Sequence, residues 1–335
     1  MEQYINNAPF ALVIVFLIIG FVFLIKGADF FVEGSSSIAK RLKVPPIIIG
    51  LTIVAMGTSL PETAVSVTAS LVNNNELAVS NVVGSNIFNL MVVVGVCSIL
   101  TPILVQKETI KRDIPFSMIC AFLLLGLGIL AVGDKSGMTL GHLDGMILLG
   151  FFAGYIVAMI QSAMKARAAG KNVEIEGIEE LEEEIGILSW PKSILFIVGG
   201  ALAIAFGGDL TVDAASRIAI DLGMSQTLVG LTIVSIGTSL PELVTSVVAA
   251  RKNEVDMAVG NAVGSNIFNI LMVLGIASAI NPVALIRENI IDIVILIVFS
   301  LIVWIYAATK RKISRKEGIS MVCLYLIYAG YIIWR

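Results

Sequence analysis

The chain has 335 residues, 57% of them hydrophobic and 14% charged, with a mean hydropathy of +0.97. Soluble domains carry roughly 25% charged residues, so this composition excludes an ordinary soluble core and points to an all-α polytopic membrane protein. The net charge of −3 comes without a basic patch interleaved with aromatics, which leaves no footprint for nucleic acid.

A helix needs about 20 apolar residues to cross the hydrocarbon core. Ten spans are predicted, at roughly 10–33, 44–72, 77–100, 114–133, 143–164, 192–213, 223–250, 257–280, 289–309 and 318–334. Met1-Glu2-Gln3-Tyr4 lacks the positive region of a signal peptide, so Phe10 onward reads as the first span. Lys26 falls within that span and is expected to snorkel to the interface. Cys97, Cys120 and Cys323 lie in apolar runs at unrelated spacings, which fits packing better than a disulfide framework or a zinc site. His142 opens the fifth span with Asp144 two residues on, and reads as an interfacial histidine or a pH-sensitive one. The connection Lys165–Pro191 holds the acidic run Glu174–Glu184, a solvated linker or a minor regulatory cation sensor. Lys310–Lys316 forms a basic cluster suited to anchoring topology or to anionic lipid.

The chain repeats itself. Gly50-Leu-Thr-Ile-Val, Gly57-Thr-Ser-Leu-Pro-Glu62 and Gly84-Ser-Asn-Ile-Phe-Asn89 return 180 residues later, with 27 identities in the 46 positions from Gly50 to Gly95. Gly27-Ala-Asp29 matches Gly207-Gly-Asp209, and Thr101-Pro matches Asn281-Pro. The expected organisation is a first five-span repeat at 1–164, an acidic cytoplasmic linker at 165–191 and a second five-span repeat at 192–335. With the N-terminus outside, 17 Lys and Arg face the cytoplasm and four face outward, a strong positive-inside bias. Five spans per repeat invert the second half relative to the first, a common plan in secondary transporters with the site at the repeat interface. The protein is thus expected in the plasma membrane, multi-pass, with both termini outside and the lipid bilayer as its surroundings.

Pro61 and Pro241 lack a backbone N–H and are expected to break the second and seventh spans, freeing carbonyls near Ala55 and Ser235. Broken backbone at membrane depth survives only where it is buried or lines a cavity. Glu62 and Glu242 follow the prolines, and no basic residue in either span sits near their depth. A mid-membrane carboxylate costs at least ~2.5–3.5 kcal/mol on insertion scales, so each is either protonated or neutralised by a cation. Thr58 precedes Glu62 by four residues, the spacing of one helical face. Asn81, Ser85 and Asn89 form a polar stripe that Asn261, Ser265 and Asn269 repeat; it suits a cation site or interhelical glue. The oxygens available are the two carboxylates, hydroxyls of Thr58, Ser59, Ser85, Thr238, Ser239 and Ser265, amides of Asn89 and Asn269, and carbonyls of Ala55 and Ser235. Hard oxygens without His or thiolate select Ca²⁺, Na⁺ or Mg²⁺, and Ca²⁺ accepts six to eight of them in flexible geometry.

These doubled motifs closely resemble the α-repeats of the cation/Ca²⁺ exchanger superfamily, in its prokaryotic Na⁺/Ca²⁺ exchanger branch. The resemblance covers nearly the whole chain. It implies ten helices in two inverted five-helix repeats, with helices 2, 3, 7 and 8 enclosing the site and helices 1 and 6 sliding across it. It also implies that the twelve residues just named bind the transported Ca²⁺ and Na⁺, with no cofactor and no obligate protein partner. K⁺-dependent relatives resemble this chain but carry aspartate where Asn269 stands, as do some prokaryotic Na⁺/Ca²⁺ exchangers; Asn269 lowers the site charge by one, which argues against K⁺ co-transport. The linker is too short for the calcium-sensor domains of animal exchangers, so that kind of activation should be missing.

The expected function is therefore Na⁺/Ca²⁺ antiport by alternating access. H⁺/Ca²⁺ antiport through the same glutamates is the alternative, and the many hydroxyl and amide oxygens favour sodium, since a proton needs only the carboxylates. A passive channel usually needs a ring of subunits around a filter, which an inverted repeat argues against. An enzyme is not expected: the chain has no His-Glu-x-x-His run and no base beside Ser59 or Ser239. Asp29, Glu33, Asp209 and Asp213 recur near the ends of the first and sixth spans, suited to an ion vestibule or to interfacial solvation.

Overall fold

A computed structural model describes residues 4–5, 7–71, 75–130, 138–168, 187–224, 233 and 235–334. It is nearly all helical. The helices are α1 (Phe10–Leu42), α2 (Pro46–Thr58), α3 (Leu60–Leu71), α4 (Ala78–Leu100), α5 (Thr109–Ile129), α6 (His142–Ala168), α7 (Trp190–Asp221), α8 (Ser235–Gly237), α9 (Leu240–Arg251), α10 (Val255–Ile280), α11 (Arg287–Lys310) and α12 (Arg315–Trp334). Among the described residues eight helices are long and apolar enough to cross a membrane, and α2 with α3 makes a ninth if that bent pair is one span. The first half of the predicted seventh span, through Val234, lies largely outside the described residues, as does the acidic run Glu174–Glu184.

α4 and α10 form the centre. Their most apolar stretches are 78% buried, against 17–44% for the other long helices. They are also less hydropathic than α1 and α11, because they carry the asparagine and serine stripes. Polar groups facing lipid are costly, so the stripes drive these helices inward. Both widen into a π-type turn at the matching places, Asn89–Val93 and Asn269–Val273; such turns gather at functional sites. α10 meets α2 backbone to backbone, where a Cβ on Gly260 would lie 2.7 Å from the Ile47 carbonyl and one on Gly50 2.6 Å from that of Met257. Small residues permit this close helix packing in a membrane.

α1 and α7 pack along each other as a long antiparallel pair. Gly20, Gly27 and Gly34, two turns apart, face Gly207, Gly200 and Ser193 in reverse order. Phe23 with Phe206 and Phe30 with Phe196 flank the seam at centroid distances of 5.1 and 4.9 Å. Both helices outrun their predicted spans: α1 passes Glu33 and continues to Leu42, and α7 continues to Asp221. The polar ends stay helical because neighbours receive them. Gly34 packs on Ser193, and Ser36 Oγ donates to Glu254 Oε1 at 2.5 Å. Asp29 is held by Lys252, whose Nζ lies 3.0 Å from its carbonyl and 3.4 Å from Oδ1, and by Lys26 at 3.8 Å. Asp29 is therefore paired, and Lys26 reaches along its own helix toward it.

Two short antiparallel strand pairs close the helix ends. β1 (Ile103–Leu104) pairs with β4 (Lys312–Ile313), and β2 (Thr139–Leu140) pairs with β3 (Val283–Ala284). Cys97 and Cys120 are buried, whereas Cys323 is exposed on α12 and does not pack as expected. The exposed His142 turns Nδ1 to the Ala279 carbonyl at 3.0 Å.

Candidate functional site

Proline decides where the site can open. α2 stops at Thr58 and α3 starts at Leu60 at an angle of 49°; the helix is interrupted at the matching place, Thr238–Ser239, between α8 and α9. Pro61 and Pro241 then occupy the second position of a new helix, where a missing N–H costs nothing. The break changes one expectation. Thr58 and Glu62 do not share a helical face, because Ser59 separates two helices. The Thr58 hydroxyl instead crosses to the other repeat, 3.0 Å from Asn261 Oδ1 and 3.5 Å from Ser265 Oγ.

Ser59-Leu-Pro-Glu62 and Ser239-Leu-Pro-Glu242 have the spacing of a capping box, in which the serine hydroxyl would satisfy its own helix. Here the serines reach across instead. Ser59 Oγ donates to Glu242 Oε1 at 3.1 Å, and Ser239 Oγ donates to Glu62 Oε1 at 3.3 Å. Ser239 makes no side-chain cap on its own helix. Both glutamates are fully buried and sit in the first turn of α3 and α9, where the helix dipole favours negative charge. Among the described residues neither is in an ion pair, and no cluster of three or more His, Cys, Asp or Glu forms.

The other predicted residues converge on this crossing. Ser265 Oγ lies 3.4 Å from Glu242 Oε1 and 3.5 Å from the Ala55 carbonyl. The Ala55 carbonyl already takes the Ser59 N–H at 3.0 Å, so its remaining lone pair is the one facing the hydroxyls. The Ser239 N–H goes to Ile236 and not to Ser235; the Ser235 side chain lies outside the described residues. Thr238 Oγ1 donates to Asn81 Oδ1 at 3.3 Å, the counterpart of Thr58 with Asn261. Ser85 lies near Glu62. Asn89 and Asn269, both buried, donate through Nδ2 to Asn266 Oδ1 and Asn86 Oδ1.

What remains unpaired is informative. Glu62 Oε2, Glu242 Oε2, Asn89 Oδ1, Asn269 Oδ1 and Ser85 Oγ are buried without a hydrogen-bond partner. Such atoms cost about 1–3 kcal/mol each when left alone. The two amide oxygens can only accept, and the two carboxyl oxygens do the same when ionised, so a cation suits them and a donor-free lipid core does not.

Several residues outside the predicted ligand set are part of the arrangement. Asn81 and Asn261 hold the threonines and are themselves anchored by Nδ2 on Ser66 at 3.1 Å and Ser246 at 2.9 Å. Asn86 and Asn266 clasp the two central helices. All four belong to the repeated segments, and the spacing of Asn86 three residues before Asn89 is the signal that could have found the clasp.

Comparison with known proteins fits this geometry. The model of the family "Sodium/calcium exchanger protein" matches residues 12–161 and 192–334. CaxA of Alkalimonas amylolytica is 38% identical over 323 residues, covering 94% of this chain and 96% of its own length. The sodium/calcium exchanger MaX1 of Methanosarcina acetivorans is 33% identical over 336 residues, with 93% and 96% covered. A structure of the sodium-calcium exchanger NCX_Mj soaked with Na⁺ and Sr²⁺ superposes with a TM-score of 0.80 at 30% identity, over 96% of this chain and 99% of that one. Two broken, glutamate-bearing helix pairs that exchange hydroxyls around buried acceptor oxygens, in a multi-pass membrane chain matched over nearly its full length, place this protein in the sodium/calcium exchanger family.

Proposed function

We propose that this chain is a secondary antiporter that exchanges Na⁺ for Ca²⁺ by alternating access, as one member of a family of cation/Ca²⁺ exchangers. Its ten helices form two inverted five-helix repeats, 1–164 and 192–335, joined by the acidic linker 165–191, with both termini on the outer face of the plasma membrane. The transported ion is held by Glu62, Glu242, the hydroxyls of Thr58, Ser59, Ser85, Thr238, Ser239 and Ser265, the amides of Asn89 and Asn269, and the carbonyls of Ala55 and Ser235.

The observation that carries this reading is the set of buried, unpartnered acceptor oxygens around two glutamates that have no basic partner among the described residues. Two carboxylates supply −2, which one Ca²⁺ cancels. Hydroxyl and amide oxygens complete a shell suited to Ca²⁺ or to Na⁺. Mutually exclusive occupancy by the two ions, with a charged empty site that resists crossing, gives coupled exchange. Protons need only the carboxylates and have no use for the amides.

The test is ⁴⁵Ca²⁺ uptake into proteoliposomes loaded with Na⁺ and diluted into choline medium, with pH clamped on both sides. Uptake that needs internal Na⁺ and survives a proton ionophore supports the proposal. Uptake that ignores Na⁺ but follows an imposed pH gradient assigns the same glutamates to H⁺/Ca²⁺ antiport.

A further inference from the structure

Asn86 and Asn266 lie beside the unpartnered oxygens, and their hydrogen bonds have a direction that the backbone fixes. Asn86 Nδ2 donates to the Asn266 carbonyl, and Asn266 Nδ2 donates to the Asn86 carbonyl, both at 3.1 Å. A carbonyl can only accept, so each amide must turn Nδ2 to the partner backbone and Oδ1 the other way. On that other side stand Asn269 and Asn89. Asn269 Nδ2 donates to Asn86 Oδ1 at 3.1 Å, and Asn89 Nδ2 donates to Asn266 Oδ1 at 3.2 Å. With their N–H groups drawn into the clasp, Asn89 and Asn269 are left with buried, unpartnered Oδ1 atoms.

We propose that Asn86 and Asn266 are positioning residues that force Asn269 and Asn89 to present oxygen, and not an N–H, to the transported ion. The inference rests on the reading that Asn89 and Asn269 are ion ligands. An unrestrained amide can flip, and the flipped form points a donor at a cation and binds nothing. The clasp forbids the flip, because turning Asn269 would set its oxygen against Asn86 Oδ1, and turning Asn86 in response would set oxygen against a carbonyl. The chain of polarity runs from the Asn266 carbonyl on α10, through Asn86 on α4, and back to the amide of Asn269 on α10. Both clasp residues are at most 1% exposed, so water offers no substitute donor.

The experiment is a double-mutant cycle read as half-saturating Ca²⁺ in ⁴⁵Ca²⁺ uptake by reconstituted protein. Asn86→Leu, Asn269→Ala and the pair are compared with the unaltered chain. Asn86→Leu should raise half-saturating Ca²⁺ about tenfold, one hydrogen bond's worth, with a smaller change in maximal rate. The double variant should match Asn269→Ala within about twofold, since releasing the amide matters only while it is there. Multiplying effects, or an Asn86→Leu variant with unchanged half-saturation, overturns the positioning role. If Asn269→Ala alone leaves half-saturation unchanged, the ligand assignment fails instead, and absent Ca²⁺ uptake by the unaltered chain overturns the exchange reading itself. Should Asn86→Leu not fold, Asn266→Leu with Asn89→Ala is the equivalent cycle. Infrared difference spectra of ¹³C-asparagine-labelled protein separate the two readings: in the unaltered chain Ca²⁺ should shift an asparagine side-chain carbonyl band, and no shift removes the ligand assignment, whereas Asn86→Leu should weaken that shift at equal Ca²⁺, and an unchanged shift overturns the positioning role.

Discussion

Glu242→Gln separates a cation ligand from a structural glutamate. The carboxylate is fully buried, accepts from Ser59 at 3.1 Å and Ser265 at 3.4 Å through Oε1, and leaves Oε2 unpaired. Glutamine has the same shape and keeps an oxygen for both serines. It removes the charge and replaces the orphan oxygen by an amide nitrogen. Without a cation this substitution should not destabilise the fold, because it removes a buried charge that has no ion-pair partner among the described residues. With a cation the effect reverses. Two unit charges about 4 Å apart interact by about 4 kcal/mol at an effective dielectric of 20, and a divalent ion at a ligating distance feels more than that. Allowing for desolvation, about 4 kcal/mol is a conservative loss, which corresponds to roughly a thousandfold in affinity. Ca²⁺ exchange should vanish under ordinary assay conditions. Thermal unfolding in detergent reads both halves of the argument. In chelator the variant should melt at or above the unaltered protein. In Ca²⁺ at about 100 times its dissociation constant, the unaltered protein should gain about 2.7 kcal/mol, while the variant should gain almost nothing. A variant that melts lower in chelator, or is stabilised equally by Ca²⁺, would falsify the ligand role and make Glu242 a structural group.

Glu62→Gln should behave as Glu242→Gln does in both assays, because the two carboxylates have equivalent surroundings; a selective loss in only one variant contradicts the shared site. Ser59→Ala and Ser239→Ala each delete a hydroxyl bonded to the opposite glutamate, worth about 1.5–3 kcal/mol for a charged acceptor, and half-saturating Ca²⁺ should rise at least about tenfold in uptake assays. Asn269→Asp adds charge and takes away the donor to Asn86, so its Na⁺, K⁺ and Ca²⁺ dependences should change; identical dependences would remove Asn269 from the ion shell. Gly200→Val should disrupt the α1–α7 pair, since even a Cβ there comes within 2.7 Å of the Gly27 carbonyl and the Phe31 nitrogen, and size-exclusion of purified protein should show aggregation.

Much of the fold is legible in the sequence because a membrane imposes a coarse rule, that an apolar stretch of sufficient length becomes a helix. Where the rule loses force the reading erred. α1 runs nine residues beyond its predicted end because Gly34 and Ser36 find partners on α7 and in the α9–α10 turn, which no hydropathy profile contains. The candidate site residues are recognisable in the sequence as chemistry: Pro61 and Pro241 point to the breaks, and two glutamates without a basic residue near their depth point to a cation. Their connections are not. Spacing along one helix suggested that Thr58 works beside Glu62, and the capping-box pattern suggests that Ser59 serves its own helix. The proline break dissolves the first relation, and a glutamate from the other repeat takes the hydroxyl in the second.

The crossing also explains why the motif must occur twice. Each glutamate takes its serine donor from the other half, each threonine turns to an asparagine of the other half, and each site amide is oriented by one across the central contact. One repeat alone would bury a carboxylate and an asparagine whose partners are missing, at a cost of about 1–3 kcal/mol for every such group. Pairing the two halves satisfies all of these groups at once and still leaves a few acceptor oxygens unpaired between them. Those few are the ones that neither copy satisfies for the other, and a cation is the kind of partner that suits such oxygens.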